Sequence, residues 1–179
     1  MKKFELTTNT KMFLGKKLFQ IKALISFGDV EAGELGGYIE KEENLSQAGD
    51  AWVTDNARVA GNAWVTDNAR VAGNARVAGD ARVAGNARVA GNAWVTGDAW
   101  VAGNASYTTI KGFGREYRTT TFFRCKDGKV RVRCGCFYGD LEEFRVIVKE
   151  THGESKKAKE YLMIADLMEL HFEENENDK

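Results

Sequence analysis

Cysteine and histidine are the residues of this 179-residue chain that could bind a metal or attack a substrate. A zinc site needs several such side chains around one point, and a thiol nucleophile needs an adjacent base. In the hairpin predicted below, Cys125 and Cys134 are about 13 Å apart at about 3.3 Å per residue. His152 is a conceivable base for Cys134 or Cys136, but nothing in the sequence ties it there, and His171 lies further along. We therefore predict no catalytic residue, no metal and no cofactor.

A basic segment is the stronger candidate for binding. Residues 111–133 contain eight basic side chains and two acidic ones. Cations interleaved with an aromatic ring suit contacts with phosphates and bases, so hairpin 118–133 could bind nucleic acid. The alternatives are that acidic residues of the following helices or tail neutralise this face, or that an acidic protein binds it. The predicted binding surface consists of Arg118, Phe122, Arg124, Lys126, Lys129, Arg131 and Arg133.

The register of this hairpin depends on its turn. Asp127-Gly128 is a strong signal for a two-residue turn between two segments of strand character. Such a turn pairs Phe123 with Val132 and places Arg124 opposite Arg131. Phe123 would then be buried, and Phe122 would share the open face with the arginines.

A period of six residues dominates the middle of the chain. Ala recurs every six residues from Ala51 to Ala105, and Val follows two places later from Val53 to Val101. A helix, at about 100° per residue, would spread these valines over three directions and form no apolar face. In a strand, Ala and Val share one face, and the Arg or Trp between them takes the other. Turn-forming Gly-Asn, Gly-Asp and Asp-Asn pairs separate the strands, so three strands complete each turn of a stacked coil.

The VAGNAR repeats resemble the hexapeptide-repeat proteins, which fold as left-handed parallel β-helices. The left hand, and a homotrimer packed side by side, are implied by this resemblance alone. Many members of that group are acyltransferases that use a histidine, and residues 48–108 contain none. The segment SFGDVEAGELGGYIEKEENLSQAGDAWV and the motifs YRTTTFF, CGCF and KETHGESKKAKEYL also resemble repeat proteins of phage and prophage. That resemblance implies a role in phage–host interaction.

Stacking every eighteen residues aligns the outward side chains in three columns. These are Trp52, Arg70 and Arg88; Arg58, Arg76 and Trp94; and Trp64, Arg82 and Trp100. A guanidinium stacked on Trp is worth about 0.5–2 kcal/mol, so the columns could be surface ladders that satisfy themselves. Alternatively, they form an oligomer contact, because Trp and Arg dominate interface energies. The predicted contact surface is Trp52, Trp64, Arg70, Arg82, Arg88, Trp94 and Trp100.

The sequence thus predicts a mainly β protein in three parts. Residues 1–47 form a β-rich cap in which Leu35, Ile39 and Leu45 begin irregular rungs, and residues 48–110 form a parallel β-helix of about three turns. Residues 111–179 form a ββαα domain with an acidic tail. Net charge is zero, and no apolar run approaches the roughly 20 residues of a membrane helix.

We expect a cytoplasmic protein with reduced cysteines, because the start lacks the apolar core of a signal peptide and the cysteine count is odd. The expected function is that of a non-enzymatic, oligomeric scaffold, phage-encoded, that binds and inhibits a host enzyme or defence protein. The alternative is nucleic-acid binding through hairpin 118–133.

Overall fold

The computed structural model describes residues 1–114 and 116–173. The chain divides into two compact units, Met1–Asn104 and Ala105–Lys179. Most of the predicted acidic tail, residues 174–179, lies outside the described residues, as does Arg115 of the basic segment. Within the described residues no helix is long and apolar enough to span a membrane.

The first unit begins with an antiparallel hairpin of β1 (Phe4–Phe13) and β2 (Lys16–Ala23). Leu14 and Gly15 connect them with positive φ angles of 50° and 75°, the backbone of a tight turn whose twist matches the strands. β2 continues into the sheet by pairing with β3 (Leu35–Ile39). The hairpin therefore joins the edge of the stacked coil that follows.

Nine two-residue strands form the stacked coil, each an Arg-Val or Trp-Val pair. They are β4 (Trp52–Val53), β5 (Arg58–Val59), β6 (Trp64–Val65), β7 (Arg70–Val71), β8 (Arg76–Val77), β9 (Arg82–Val83), β10 (Arg88–Val89), β11 (Trp94–Val95) and β12 (Trp100–Val101). They stack in parallel in the orders β5-β8-β11, β4-β7-β10 and β6-β9-β12, and β3 adds a further strand before β5. Their valines are fully buried. The predicted parallel β-solenoid is confirmed.

The coil begins earlier than the first regular repeat. Ile39 pairs in parallel with Val59, and Leu45 forms a parallel bridge to Val65, so the predicted irregular rung at these two residues is confirmed. Leu35 instead lies opposite Lys22 and is exposed. The stack that begins with β3 therefore contains four parallel strands. The predicted coil of about three turns would contain only three strands in each stack.

A buried asparagine holds the irregular rung in place. Asn44 ends a short 3-10 helix, Glu42–Asn44, and its side chain is fully buried. Its amide donates to the carbonyls of Gly61 (3.0 Å) and Ala63 (2.8 Å). Its oxygen accepts the backbone N–H groups of Glu40 (3.1 Å) and Lys41 (3.0 Å). This one side chain therefore joins the first rung to the second.

The second unit is a four-stranded antiparallel sheet packed against two helices. After a 3-10 turn at Asn104–Ser106, the strands run in the order β13 (Tyr107–Lys111), β14 (Thr119–Arg124), β15 (Val130–Cys134) and β16 (Phe137–Asp140). The helices are α1 (Leu141–His152) and α2 (Lys156–Phe172). α1 begins with a capping box formed by Asp140 and Glu143, and Ser155 caps α2. The unit thus adds two strands to the predicted hairpin.

The predicted register of the hairpin is wrong by one residue. β14 and β15 pair Phe122 with Val132, Phe123 with Arg131 and Arg124 with Val130. The cause is the turn: Cys125 bonds to Lys129 across a three-residue loop in which Gly128 has a φ of 77°. A one-residue slip exchanges the two faces of a hairpin. The predicted opposition of Arg124 and Arg131 is therefore absent.

Candidate functional site

The N-terminal segment covers the first of the three outward columns. Trp52 is only 1% exposed, because the rings of Phe4 (6.4 Å between centroids) and Phe27 (5.4 Å) pack edge-on against it. Above it, Arg70 forms an ion pair with Asp29 of the same segment. Burial lowers the pKa of the Arg70 guanidinium, and the neighbouring Arg88 charge lowers it further. Trp52 and Arg70 therefore serve packing within this unit, whereas Arg88 at the next level is exposed.

The β1–β2 hairpin covers the second column. The ring of Phe13 lies 5.7 Å from the Arg58 guanidinium carbon and 5.9 Å from that of Arg76. Arg76 also lies 5.3 Å from the ring of Trp94, which is partly buried. A single phenylalanine at the end of β1 therefore holds two arginines of the column against the coil.

The third column remains open to solvent. We call Trp64, Arg82 and Trp100 the open column; they belong to β6, β9 and β12 and are in direct register. Trp64 is 40% exposed and Trp100 is 47% exposed. The Arg82 guanidinium carbon lies 4.6 Å from the centre of the Trp64 ring. Two large aromatic surfaces therefore flank a cation on a rigid strand ladder, an arrangement suited to protein contact.

The seven residues of the predicted basic surface do not form one face. Phe122 is fully buried in the core beneath the helices, 6.2 Å from the Phe144 ring. Arg124 shares this side of the sheet and donates to the carbonyl of Phe172 at 2.7 Å. Arg118 is exposed in the segment before β14.

The remaining four residues lie on the opposite face or at the turn. Arg131 and Arg133 share the face of Phe123, and Lys126 and Lys129 belong to the hairpin loop. Burial would lower the pKa of Arg131, but a 2.8 Å ion pair with Asp127 outweighs it and raises the pKa. Burial lowers the pKa of Arg133. One predicted cation is therefore neutralised within the hairpin, and another is partly withdrawn from solvent.

The structure brings together two cysteines and a histidine that the sequence left unconnected. Cys134, Cys136 and His152 line a pocket of about 170 Å³, together with Glu116, Arg118, Gly135 and Tyr161. The link is tertiary: the C-terminal end of α1 carries His152 to the β15–β16 turn that holds both cysteines. The alternating pattern of apolar and polar residues in the hairpin does not indicate that His152 lies close to these cysteines.

A hydrogen bond connects one of these thiols to α2. The Cys134 thiol donates to the Tyr161 hydroxyl at 3.9 Å, and this hydroxyl donates to the Phe113 carbonyl at 3.3 Å. Burial, aided by Cys134, raises the pKa of Tyr161, so the phenol stays protonated and provides no base. Across residues 1–114 and 116–173, no group of three or more His, Cys, Asp or Glu side chains is arranged to bind a metal.

Comparison with known proteins adds no relative: no family model and no curated protein matches this chain.

Proposed function

We propose that this protein is a non-enzymatic scaffold whose open column assembles copies of the chain into a homotrimer. The observation that carries the proposal is the exposure of Trp64 and Trp100 on either side of Arg82, while the N-terminal segment covers Trp52 and Arg58 in the other two columns. Side chains facing a threefold axis meet the same side chains of the other two copies. One column per copy is therefore enough to build the assembly.

The open column suits such a contact energetically. Trp and Arg are among the residue types that contribute most to the free energy of binding at interfaces, chiefly where they are closely packed and shielded from water. The stacked strands hold them in register, so little conformational freedom is lost on binding. The left-handed coil and side-by-side trimer of the hexapeptide-repeat proteins, implied by the VAGNAR resemblance, support the same assembly.

We further propose that the assembled scaffold is phage-encoded and binds a host enzyme or defence protein in the cytoplasm, inhibiting it by occupying its surface. This proposal is supported by the resemblance of the cap and of the C-terminal motifs to phage and prophage repeat proteins. It is also supported by the hydrogen bond between the Cys134 thiol and Tyr161, whose raised pKa keeps the phenol protonated, an arrangement that favours structure over catalysis.

The nucleic-acid alternative has less support. Its cations are divided between two faces of a sheet, and Asp127 already neutralises Arg131. Lys126 and Lys129, both exposed in the hairpin loop, are the cations best placed to reach a phosphate.

Light scattering of the full chain tests the scaffold proposal. We expect a particle mass that is a multiple of three chains, and a threefold lower mass for the Trp64→Ser/Trp100→Ser variant. Met12→Ser is the matched control, because Met12 is 67% exposed but lies on β1, away from the open column. It should leave the mass unchanged. An unchanged mass in the folded double variant would overturn the proposed contact.

A further inference from the structure

The second helix has two apolar faces, and one of them is uncovered. Ala158, Tyr161, Ala165, Met168 and Phe172 face the core of the C-terminal unit. Met163, Leu167 and Leu170 are 71%, 54% and 65% exposed. Spacings of three and four residues place these three side chains on one side of a helix. We call them the α2 stripe.

An exposed stripe of this kind is unusual, because single exposed apolar residues are common but aligned ones mark contact sites. The stripe lies on a helix whose other face is already packed, so folding of this unit does not require it. It is therefore available for an additional contact.

Charges along α2 indicate what covers the stripe. Lys156 and Lys159 lie in the first turn of α2, Asp166 lies between Met163 and Leu167, and Glu173 caps the end of the helix. Within the chain, Lys156 forms an exposed 3.7 Å pair with Glu160, and Asp166 pairs with Arg145 at 3.0 Å, so Lys159 and Glu173 carry most of the remaining difference in charge between the two ends. A helix that is basic at one end and acidic at the other is complementary to a copy of itself running in the opposite direction. A parallel partner of the same sequence would instead place like charges together.

We propose that α2 packs against α2 of a second copy, antiparallel across a twofold axis. Met163 of each copy meets Leu167 of the other, and Lys156 of each lies near Glu173 of the other. Such a contact is self-complementary, as a twofold interface must be. It differs from the open column in its residues, its unit of the chain and its symmetry.

A threefold and a twofold contact together give an assembly larger than a trimer, which closes at six chains when the two axes cross at right angles. A substitution can remove one contact without affecting the other, because the open column lies in Met1–Asn104 and α2 lies in Ala105–Lys179. A variant of α2 therefore leaves trimers, and a variant of the open column leaves dimers. If the open column is not a contact, the wild-type chain is a dimer through α2.

Sedimentation equilibrium of the full chain under reducing conditions tests this inference with Leu167→Glu. A carboxylate buried at the contact should weaken the twofold association by about 100-fold or more, and so reduce the particle mass at least twofold at micromolar concentration. Val146→Glu is the matched control: it replaces another exposed apolar side chain (56% exposed) by the same carboxylate, on α1 and off the stripe, and should leave the mass unchanged. Circular dichroism confirms that each variant is folded.

A charge exchange tests the antiparallel direction and does not depend on Leu167. Lys156→Glu alone should weaken the twofold association, and Lys156→Glu with Glu173→Lys should restore it. An unchanged mass in folded Leu167→Glu overturns the proposal, whatever the open column does. Should that variant not fold, an unchanged mass in Lys156→Glu overturns it instead.

Discussion

Arg82 lies over the indole of Trp64, with its guanidinium carbon 4.6 Å from the ring centre. Its Nε atom is buried and has no hydrogen-bond partner among residues 1–114 and 116–173. The indole therefore substitutes for a polar partner by offering its electron-rich face to the cation. Because stacking of the rungs fixes this pair, the open column presents one defined surface rather than a set of mobile side chains.

Asn44 is the polar side chain on which the first rung depends. Asn44→Ala removes the partner of four backbone groups inside the coil, and each unsatisfied buried group is costly. We expect a loss of about 3 kcal/mol in the free energy of unfolding, measured by urea denaturation. Asn68→Ala is the control, since the Asn68 side chain is exposed and donates to Asn86 at the surface of the coil, with no backbone group as its partner in the described residues; it should cost less than about 0.5 kcal/mol. Equal losses in the two variants would contradict this role of Asn44.

Lys3 makes stability depend on pH in the alkaline range. Burial lowers the pKa of Lys3 from 10.5 to about 8, although the nearby Asp50 carboxylate raises it. Between these two values the unfolded chain binds more protons than the folded chain, so stability rises with pH. Relative to Lys3→Met, the wild-type free energy of unfolding should increase by roughly 2 kcal/mol between pH 7.5 and pH 10.5.

The control for this measurement is Lys2→Met, since Lys2 pairs with Glu42 at the surface. The rise of the free energy of unfolding with pH should persist in Lys2→Met and be lost in Lys3→Met. If the difference in the free energy of unfolding between wild type and Lys3→Met were constant with pH, the pKa of Lys3 would not be lowered in the folded chain.

Alanine substitutions at two turn glycines distinguish the cost of backbone strain from the cost of steric crowding. Gly79 has a φ of 71°, and a Cβ there would lie 2.9 Å from the backbone nitrogen of Gly97. Gly91 has a φ of 68°, but a Cβ there meets nothing within 4 Å. We expect Gly91→Ala to lower the free energy of unfolding by about 1 kcal/mol, and Gly79→Ala by about 1–3 kcal/mol more. Thermal unfolding that ranks Gly91→Ala as the more damaging change would contradict the stacked geometry.

The divided cations predict weak nucleic-acid binding. In a salt titration with generic duplex and single-stranded DNA, we expect no binding tighter than about 100 μM at physiological salt, the weak limit for non-specific contacts. A steep salt dependence that Arg131→Glu abolishes would favour the nucleic-acid alternative. The matched variant Lys17→Glu changes the charge equally on the N-terminal hairpin and should have no effect.

The sequence predicted the coil because its period repeats in every rung, so that each Ala and Val supports the same interpretation. The hairpin register depended on a single turn, and Gly128 at positive φ fits both a two-residue and a three-residue loop. Only packing of Phe122 beneath α1 distinguishes the two registers, and that contact is tertiary.

The sequence also did not indicate which of the three columns stays exposed to solvent. Phe4, Phe13 and Phe27 lie in the predicted cap, and their ring contacts with the coil are tertiary. Which columns they cover depends on where β3 joins the coil. The α2 stripe, in contrast, has a sequence signal: Met163, Leu167 and Leu170 follow one another at helical spacing.

The mass of the Leu167→Glu variant tests the central claim most directly, because that change removes the twofold contact and leaves the open column intact. Sedimentation equilibrium should return three times the 19.9 kDa chain mass. A single-chain mass across the concentration range would contradict the account, since the open column would then not be the surface that assembles this protein.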